Sequence, residues 1–215
     1  MRWLSYIYPQ TIARFSSSFN KDIRVVEEHG RYKVLVSGSP QSGPYIEKLW
    51  ENACSSFGIP KQTSPQSILV LGIAGGTVIH LLRRWYPNTP ITAVDIDQVM
   101  IDVGRNFFGL GILNKVLLIN DEAQKFVAKS LKERRLYDFI IVDLSFGREI
   151  PAFVATRKFL STLKKLCADQ GAVVINFLRE REYKGISNTL KNTLLNFFPT
   201  VREKPIFLNR FFFAQ

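Results

Sequence analysis

The chain has 215 residues, 46% of them hydrophobic, and a formal net charge of +11. This length fits one domain with a small additional part, and no apolar run approaches the roughly 18 to 20 residues that cross a membrane. Its two cysteines, Cys54 and Cys167, are far apart and have no C-x-x-C spacing, which argues against a disulfide framework and a zinc site. We therefore expect a cytoplasmic protein with free buried thiols and no metal.

Basic residues occur in short clusters such as Arg83-Arg84, Lys132–Arg135 and Lys164-Lys165. Such clusters are typical of solvated helix ends, and no nucleic-acid-binding motif accompanies them. The charge therefore favours an anionic partner or acceptor substrate over nucleic acid. The first 21 residues contain no acid and several serines, which weakly resembles a transit peptide, but we interpret them as part of the folded protein for the reason given below.

The first part of the chain is predicted to be β. Residues 22–38 contain two β-rich runs around the turn EHGR, which is typical of a hairpin. The segment GPYIEKLWENACSSFG then has apolar residues at helical spacing and ends at Gly58. We therefore predict an N-terminal β-region with a linking helix over 1–60 and a second domain over 61–215.

From Ser67 onward, predicted strands and helices alternate. Apolar strand candidates are 68–71, 91–94, 116–119, 138–142 and 172–176. Helical patterns lie near 77–86, 98–107, 122–134, 152–167 and 183–197. Nearly continuous apolar strands that alternate with helices predict an α/β, doubly wound, mostly parallel sheet covered on both faces. The runs TVREKPIFL and RFFFAQ, separated by an asparagine, predict an antiparallel hairpin at one edge, which makes the sheet seven-stranded.

A glycine-rich turn, GIAGG at 72–76, follows the first apolar strand. No lysine follows it, as a P-loop requires, and Thr77 stands where a dinucleotide-binding turn has a small third residue. The looser pattern Gly72-x-Ala74-x-Gly76 resembles the first motif of class I S-adenosylmethionine-dependent enzymes. A purely structural glycine turn is the alternative.

Acids follow three consecutive strands. Asp95 ends the second strand, where a carboxylate can accept both hydroxyls of a ribose. Asp121 follows the third strand, where it suits an adenine amino group or, alternatively, the N-cap of the next helix. Asp143 follows the fourth strand. Because the carboxyl ends of parallel strands meet at one edge, these acids and the glycine turn predict one nucleoside site.

These segments resemble the spermidine synthases, the polyamine aminopropyltransferases. VLVSGSPQSG resembles the end of the family's N-terminal β-domain, AVDIDQVMIDVGRNFFGL its strand-end acid and following helix, and YDFIIVDLSFG its Y-D-x-I-I-x-D segment. Because the likeness includes the β-region, residues 1–21 are expected to belong to the fold. The resemblance also implies a homodimer formed through this region.

The resemblance implies a site for S-adenosylmethionine or its decarboxylated form, with Asp143 as the candidate catalytic base or acceptor-orienting group. The predicted cofactor-binding residues are Gln41, Gly72, Ala74, Gly75, Gly76, Asp95, Ile96, Asp121, Glu122 and Ala123. Two positions depart from the family: Gly75 stands in place of the acid that holds the amine of the decarboxylated cofactor, and Phe146 in place of the second diamine-binding acid. A glycine at position 75 leaves room and backbone N–H groups for a carboxylate, which favours ordinary S-adenosylmethionine.

Three hypotheses follow. The first is a methyltransferase of spermidine-synthase-like fold acting on an unidentified acceptor. The second is an aminopropyltransferase with rearranged diamine acids, and the third is a non-catalytic nucleoside-binding protein. We interpret His29 and His80 as structural in all three.

Overall fold

The computed structural model describes residues 2–61, 63–180 and 182–215, and these form two sheets. The N-terminal sheet is antiparallel, in the order β1-β2-β3-β4. Its strands are β1 Gln10–Phe15, β2 Ile23–Glu28, β3 Arg31–Val36 and β4 Ser39–Ser42. The predicted hairpin is confirmed as β2 and β3, whose turn at His29 and Gly30 uses positive φ angles of 49° and 71°.

The second sheet has seven strands in the order β10-β11-β9-β8-β5-β6-β7. They are β5 Ile68–Leu71, β6 Ile91–Asp95, β7 Val116–Asn120, β8 Tyr137–Val142, β9 Cys167–Leu178, β10 Val201–Ile206 and β11 Asn209–Ala214. The first five are parallel, and β10 and β11 form the antiparallel hairpin at one edge. This confirms the doubly wound sheet predicted from the sequence.

Six α-helices cover this sheet in the described part of the chain. They are α1 Pro44–Ser56, α2 Thr77–Trp85, α3 Gln98–Phe108, α4 Ala123–Lys132, α5 Arg157–Leu166 and α6 Tyr183–Leu195. One core contains buried side chains of α1, α2 and α3, and a second, on the other face, contains those of α4, α5 and α6. None of the described helices is both long enough and apolar enough to cross a bilayer.

The N-terminal sheet packs on α3 through a third, smaller core. Ile23, Val25 and Val34 of the sheet are fully buried there beside Met100 and Val103 of α3. Helix α1 shares the core of β5 and α2. The division of the chain at residue 60 stays a prediction. Helix α1 precedes residue 60 but packs in the core of the larger sheet.

Several boundaries differ from the sequence prediction. The expected helix over 152–167 is a 3-10 turn at Ala152–Ala155 followed by α5, because Thr156 caps α5 by accepting from the Phe159 amide at 3.3 Å. The C-terminal turn lies at 207–208 instead of Asn209, which is the first residue of β11.

Candidate functional site

A cavity of about 240 Å³ lies outside the carboxyl ends of β5, β6, β8 and β9. The β4 segment and α1 form its opposite wall. Strand β5 lies between β6 and β8, so the chain winds in opposite directions on its two sides. A ligand of a doubly wound sheet binds at this type of crevice.

The glycine turn brings β5 close to the residue that follows β8. Gly72 has φ 96°, and a Cβ there would lie 2.0 Å from the carbonyl oxygen of Asp143, so no other residue fits without displacing the chain. Ala74 also takes a positive φ, 46°. Gly72 and Ala74 both line the cavity.

Gly75 and Gly76 do not line the cavity. The Gly75 amide donates to Ser42 Oγ at 2.8 Å, and a Cβ on Gly75 would lie 2.9 Å from Ser42 Cβ and 3.0 Å from Val34 Cγ2. Gly76 precedes α2 with φ 88°, and a Cβ there would lie 2.4 Å from Leu110 Cδ2. The expectation that position 75 leaves room and free N–H groups for a carboxylate is therefore corrected: the N-terminal sheet occupies that space.

Asp95 supports the glycine turn from the end of β6. Its Oδ2 accepts from the amides of Ile73 at 2.8 Å and Ala74 at 3.2 Å, and its Oδ1 accepts from the Asp97 amide at 2.9 Å. Burial raises the pKa of the Asp95 carboxyl, and these three amides oppose the rise. Asp95 and Ile96 both line the cavity.

Asp121, Glu122 and Ala123 form the cavity wall beyond β7. Asp121 Oδ1 accepts from the Glu122 amide at 2.8 Å, and Glu122 pairs with Lys125 at 2.9 Å. The helix begins at Ala123 with Glu122 as its N-cap residue, so Asp121 is not the cap that the sequence allowed. Its carboxylate lies in the cavity wall.

Asp143 receives two side-chain hydrogen bonds. Trp50 Nε1 donates to its Oδ2 at 3.1 Å, and Asn176 Nδ2 donates to its Oδ1 at 2.9 Å. Asn209 Nδ2 in turn donates to Asn176 Oδ1 at 2.8 Å, which fixes the orientation of the Asn176 amide. Burial raises the pKa of the Asp143 carboxyl, and the donors Asn176 and Trp50 oppose this rise. All four side chains belong to residues that line the cavity.

Gln41 fastens the loop after β8 to the N-terminal sheet. Its Nε2 donates to the Gly147 carbonyl at 2.9 Å, and its Oε1 accepts from Ser145 Oγ at 3.1 Å. In the same loop, Phe146 stacks on Phe19 with ring centroids 6.0 Å apart and an interplanar angle of 12°. Gln41 and Phe146 both line the cavity.

The segment before β2 is anchored to the cavity wall through Asp97. Ser17 Oγ donates to Asp97 Oδ2 at 2.6 Å and Asn20 Nδ2 donates to the same atom at 2.7 Å, while Asp97 Oδ1 caps α3 by accepting from the Val99 amide at 3.0 Å. Asp97 is 2% exposed. This part of residues 1–21 therefore belongs to the fold.

The cavity is acidic although the chain is basic. Its lining contains five carboxylates and one guanidinium, that of Arg148, which pairs with Glu180. The carboxylates are those of Asp95, Asp97, Asp121, Glu122 and Asp143. His80 contacts the Phe108 carbonyl and His29 the Tyr6 ring, and neither lines this cavity. The described residues contain no cluster of side chains suited to a metal ion.

Sequence reasoning missed the partners of the predicted acids. In the sequence, Trp50 is one of the apolar residues of the linking-helix segment, Asn209 separates the two C-terminal runs, and no motif assigns a role to Asn20 or Asp97. The one signal was Asn176, a single amide in the apolar run AVVINF near the end of a predicted strand.

The fold and the acid-lined crevice define a class I methyltransferase-like, Rossmann-like protein with a spermidine-synthase-like N-terminal sheet. The profile of the Spermine/spermidine synthase domain family matches residues 47–210, and the chain belongs to this family. It is 28% identical over 135 residues to the polyamine aminopropyltransferase of Vibrio vulnificus, covering 62% of this chain and 45% of that protein.

Methyltransferases are also among the relatives. The eEF1A lysine and N-terminal methyltransferase homolog of Drosophila melanogaster is 29% identical over 149 residues, which are 66% of this chain and 22% of that protein. The chain thus spans less than half of the length of these curated relatives.

Solved structures share the fold. A probable spermidine synthase from Corynebacterium glutamicum has a TM-score of 0.77 and 17% identity, covering 94% of this chain and 79% of that one. Human Methyltransferase-like protein 13 in complex with SAH has a TM-score of 0.62 and 24% identity, covering 71% and 72%.

Proposed function

We propose that the protein is an S-adenosylmethionine-dependent transferase that methylates an amino nitrogen. The observation that carries the choice of methyl transfer over aminopropyl transfer is Phe146. This aromatic ring stands in the cavity lining where the resembled family has its second diamine-binding acid, and it stacks on Phe19. A diamine needs carboxylates for both of its charges, and an aromatic ring here suits a less polar acceptor.

The acidic cavity supports a cationic nucleoside. When bound, S-adenosylmethionine supplies a methyl group on a positively charged sulfonium, which neighbouring carboxylates attract. In this proposal Asp95 contacts the ribose and Asp121 the adenine amino group. One structural relative, human Methyltransferase-like protein 13, was solved with SAH, the demethylated form of this cofactor.

The carboxylate of the cofactor needs a partner other than Gly75. All amides of residues 72–76 already donate within the protein. The next amides, of Thr77 and Val78, have no recorded acceptor among the described residues, and both residues line the cavity at the start of α2. We assign the carboxylate to these two N–H groups, since a helix N-terminus favours an anion.

Asp143 is the proposed base for the acceptor. Each oxygen of its carboxylate accepts one side-chain hydrogen bond. Each therefore keeps a lone pair that can accept the proton of an amino nitrogen. S-adenosylmethionine would supply the methyl group to this nitrogen, with SAH as the other product, and Asp143 would accept the nitrogen's proton. The raised pKa of Asp143 brings this carboxylate closer to the basicity that a general base needs near neutral pH.

The test is competitive calorimetry with S-adenosylmethionine, SAH and decarboxylated S-adenosylmethionine. We expect the first two to bind at least tenfold more tightly than the third. A second arm measures binding of 1,4-diaminobutane to Phe146→Asp, with Phe146→Leu as the control of similar polarity to the wild type. Only Phe146→Asp should gain affinity. Tighter wild-type binding of the decarboxylated cofactor overturns the methyl-donor proposal and favours aminopropyl transfer.

Aminopropyl transfer remains the second candidate because Asp143 and the net negative charge of the cavity lining suit a cationic amine. A non-catalytic nucleoside-binding protein is the third. Binding of the cofactor without transfer to any amine, in wild type and in Phe146→Asp alike, would favour this third function.

A further inference from the structure

Two neighbouring helices carry most of the chain's excess positive charge. Residues 123–136 and 157–166 contain nine lysines and arginines and one acid, Glu133, which is a net charge of +8 out of the chain's +11. We name this surface the α4–α5 basic face. Its members are Lys125, Lys129, Lys132, Arg134, Arg135, Arg157, Lys158, Lys164 and Lys165.

The fold places these side chains on one side of the molecule. Helix α4 packs against α5, and both bury their apolar residues in the same core. Both helices return between parallel strands, so they run in the same direction. Tyr137 of β8 is paired with Cys167 of β9, so Arg134 and Arg135 after α4 lie beside the end of α5.

Local helix energetics explain only part of this charge. Lysines in the last turns of α4 and α5 are favoured by the helix dipole. Arg157 and Lys158, however, occupy the first turn of α5, where the dipole disfavours cations and no acid accompanies them. The helix dipole therefore does not explain the cations at the start of α5.

Five cations of the face are exposed and have no ion pair or hydrogen bond among the described residues. The other four have contacts: Lys125 pairs with Glu122, Arg135 pairs with Glu133, and Arg157 and Lys164 lie over the rings of Phe197 and Phe198. The five are Lys129, Lys132, Arg134, Lys158 and Lys165. Their charges are available to an anion.

Several of the cations lie in rows along their helices. Lys125, Lys129 and Lys132 follow one another at i, i+4 and i+7 on α4, and Lys158 and Lys165 are seven residues apart on α5. Neighbouring lysines of the α4 row are about 5 to 6 Å apart along the helix axis, and Lys158 and Lys165 are about 10 Å apart along α5. Among the described residues of these two segments, Leu136 is the one large apolar side chain that is exposed. A membrane-binding helix needs a row of exposed apolar side chains.

We propose that the α4–α5 basic face binds the phosphate backbone of a nucleic acid without reading its base sequence. Rows of exposed lysines on two parallel helices present several positive charges to a row of phosphates, and lysines recognise phosphates as point charges. The proposal extends beyond the proposed transferase activity and does not depend on it, because none of these side chains belongs to a residue that lines the cavity.

The test measures fluorescence anisotropy of labelled single-stranded and duplex oligonucleotides of mixed sequence between 50 and 200 mM KCl. The test variant is Lys129→Gln/Lys132→Gln/Lys165→Gln. The matched control is Lys48→Gln/Lys61→Gln/Lys204→Gln, which removes the same charge from exposed lysines elsewhere that have no ion pair within the described part of the chain. Losing three phosphate contacts lowers the slope of log affinity against log salt by about 2 for single strands and about 3 for duplex.

We expect this loss of slope in the test variant and an unchanged slope in the control. Equal losses in both variants would mean that only total charge matters, which overturns the assignment of the face. The proposal is also overturned if wild type binds no oligonucleotide at 50 mM KCl, or if polyglutamate or anionic lipid vesicles bind this face as tightly. Melting temperatures of all three proteins, and their affinity for SAH, should agree.

Discussion

Asp95 and Asp121 both lie in the cavity wall, but they differ in how much of the backbone depends on them. Asp95 accepts from three amides, two of them in the glycine turn, whereas Asp121 accepts from the adjacent Glu122 amide. The sequence presents both as strand-end acids. The structure therefore separates a residue that supports the site from one that is more available to a ligand.

Asp95→Ala should lower both stability and nucleoside affinity. Removing its carboxylate leaves buried amides unsatisfied, which costs about 1–3 kcal/mol in the free energy of unfolding, and lost ligand hydrogen bonds to a charged group cost about 2–3 kcal/mol in binding. Asp121→Ala is the control, and it should weaken binding with little change in stability. Urea unfolding and calorimetry check this pair. Unchanged SAH affinity in folded Asp95→Ala would remove Asp95 from the ligand site.

Asn176 should act as a positioning residue for Asp143. Its hydrogen bond lowers the carboxyl's pKa against the effect of burial, so Asn176→Ala should raise that pKa further. The acid limb of the pH–rate profile should then move to higher pH, because a base with a higher pKa loses its proton at higher pH. Asn209→Ala, which removes only the donor to Asn176, should give a smaller shift. A lower rate with an unmoved profile would indicate a purely structural role.

The acids of the site were predictable from the sequence because strand ends of a parallel sheet converge. Their partners were not, because contacts such as Trp50 to Asp143 join residues 93 positions apart and depend on how α1 packs. The same limit explains the error at Gly75. Its family position is visible in the sequence, but its neighbour Ser42 comes from another sheet.

At the scale of elements, residues of the N-terminal region hold the loop after β8 in place. Gln41 supplies two hydrogen bonds to it, and Phe19 supplies a stacking contact. This loop carries Phe146 and forms one side of the cavity. The N-terminal sheet therefore contributes to the site by fixing this loop.

Gln41→Ala should make the loop more accessible to protease. Losing two hydrogen bonds of about 1 kcal/mol each raises the open population roughly tenfold or more. Trypsin cleavage after Arg148, followed by mass spectrometry, measures this. Gln10→Ala removes a partly exposed glutamine whose side-chain amide donates to the Tyr8 carbonyl, and its cleavage rate should match wild type. Equal rates in all three proteins would show that Gln41 does not hold the loop.

The order and type of the elements could be predicted from the periodicity of the sequence. The residues at which the elements end depend on contacts that the periodicity does not show. The predicted helix over 122–134 ends as α4 at Lys132, and Arg134 takes φ 55°. The strand predicted over 172–176 extends to Cys167–Leu178 because β8 and β11 pair along its length. Neither pairing is visible in the strand's own residues.

At the scale of the molecule, we propose that the protein self-associates through its N-terminal region. Strand β1 is a sheet edge, and Trp3 and Ile7 before it are 63% and 70% exposed. Unpaired edges beside exposed apolar side chains favour pairing with another chain. The homodimer expected from the sequence would use this surface.

Wild type should therefore be a dimer at micromolar concentration, and Trp3→Ser/Ile7→Ser should shift it toward monomer. Ile112→Ser is the control, because Ile112 is 87% exposed but lies in the 3-10 turn after α3. Light scattering coupled to gel filtration measures the mass of each protein. A monomeric wild type, or a control that dissociates equally, would contradict the proposal.

The glycine turn has one more consequence. Each amide from Gly72 to Gly76 already has an acceptor within the chain, so the turn keeps its shape before any ligand arrives. A preformed pocket loses little conformational entropy on binding, so more of the contact energy remains as affinity. Amide hydrogen exchange of this turn should therefore be slow in the free protein and nearly unchanged by SAH. The nucleoside is therefore expected to bind without a change in the conformation of the turn.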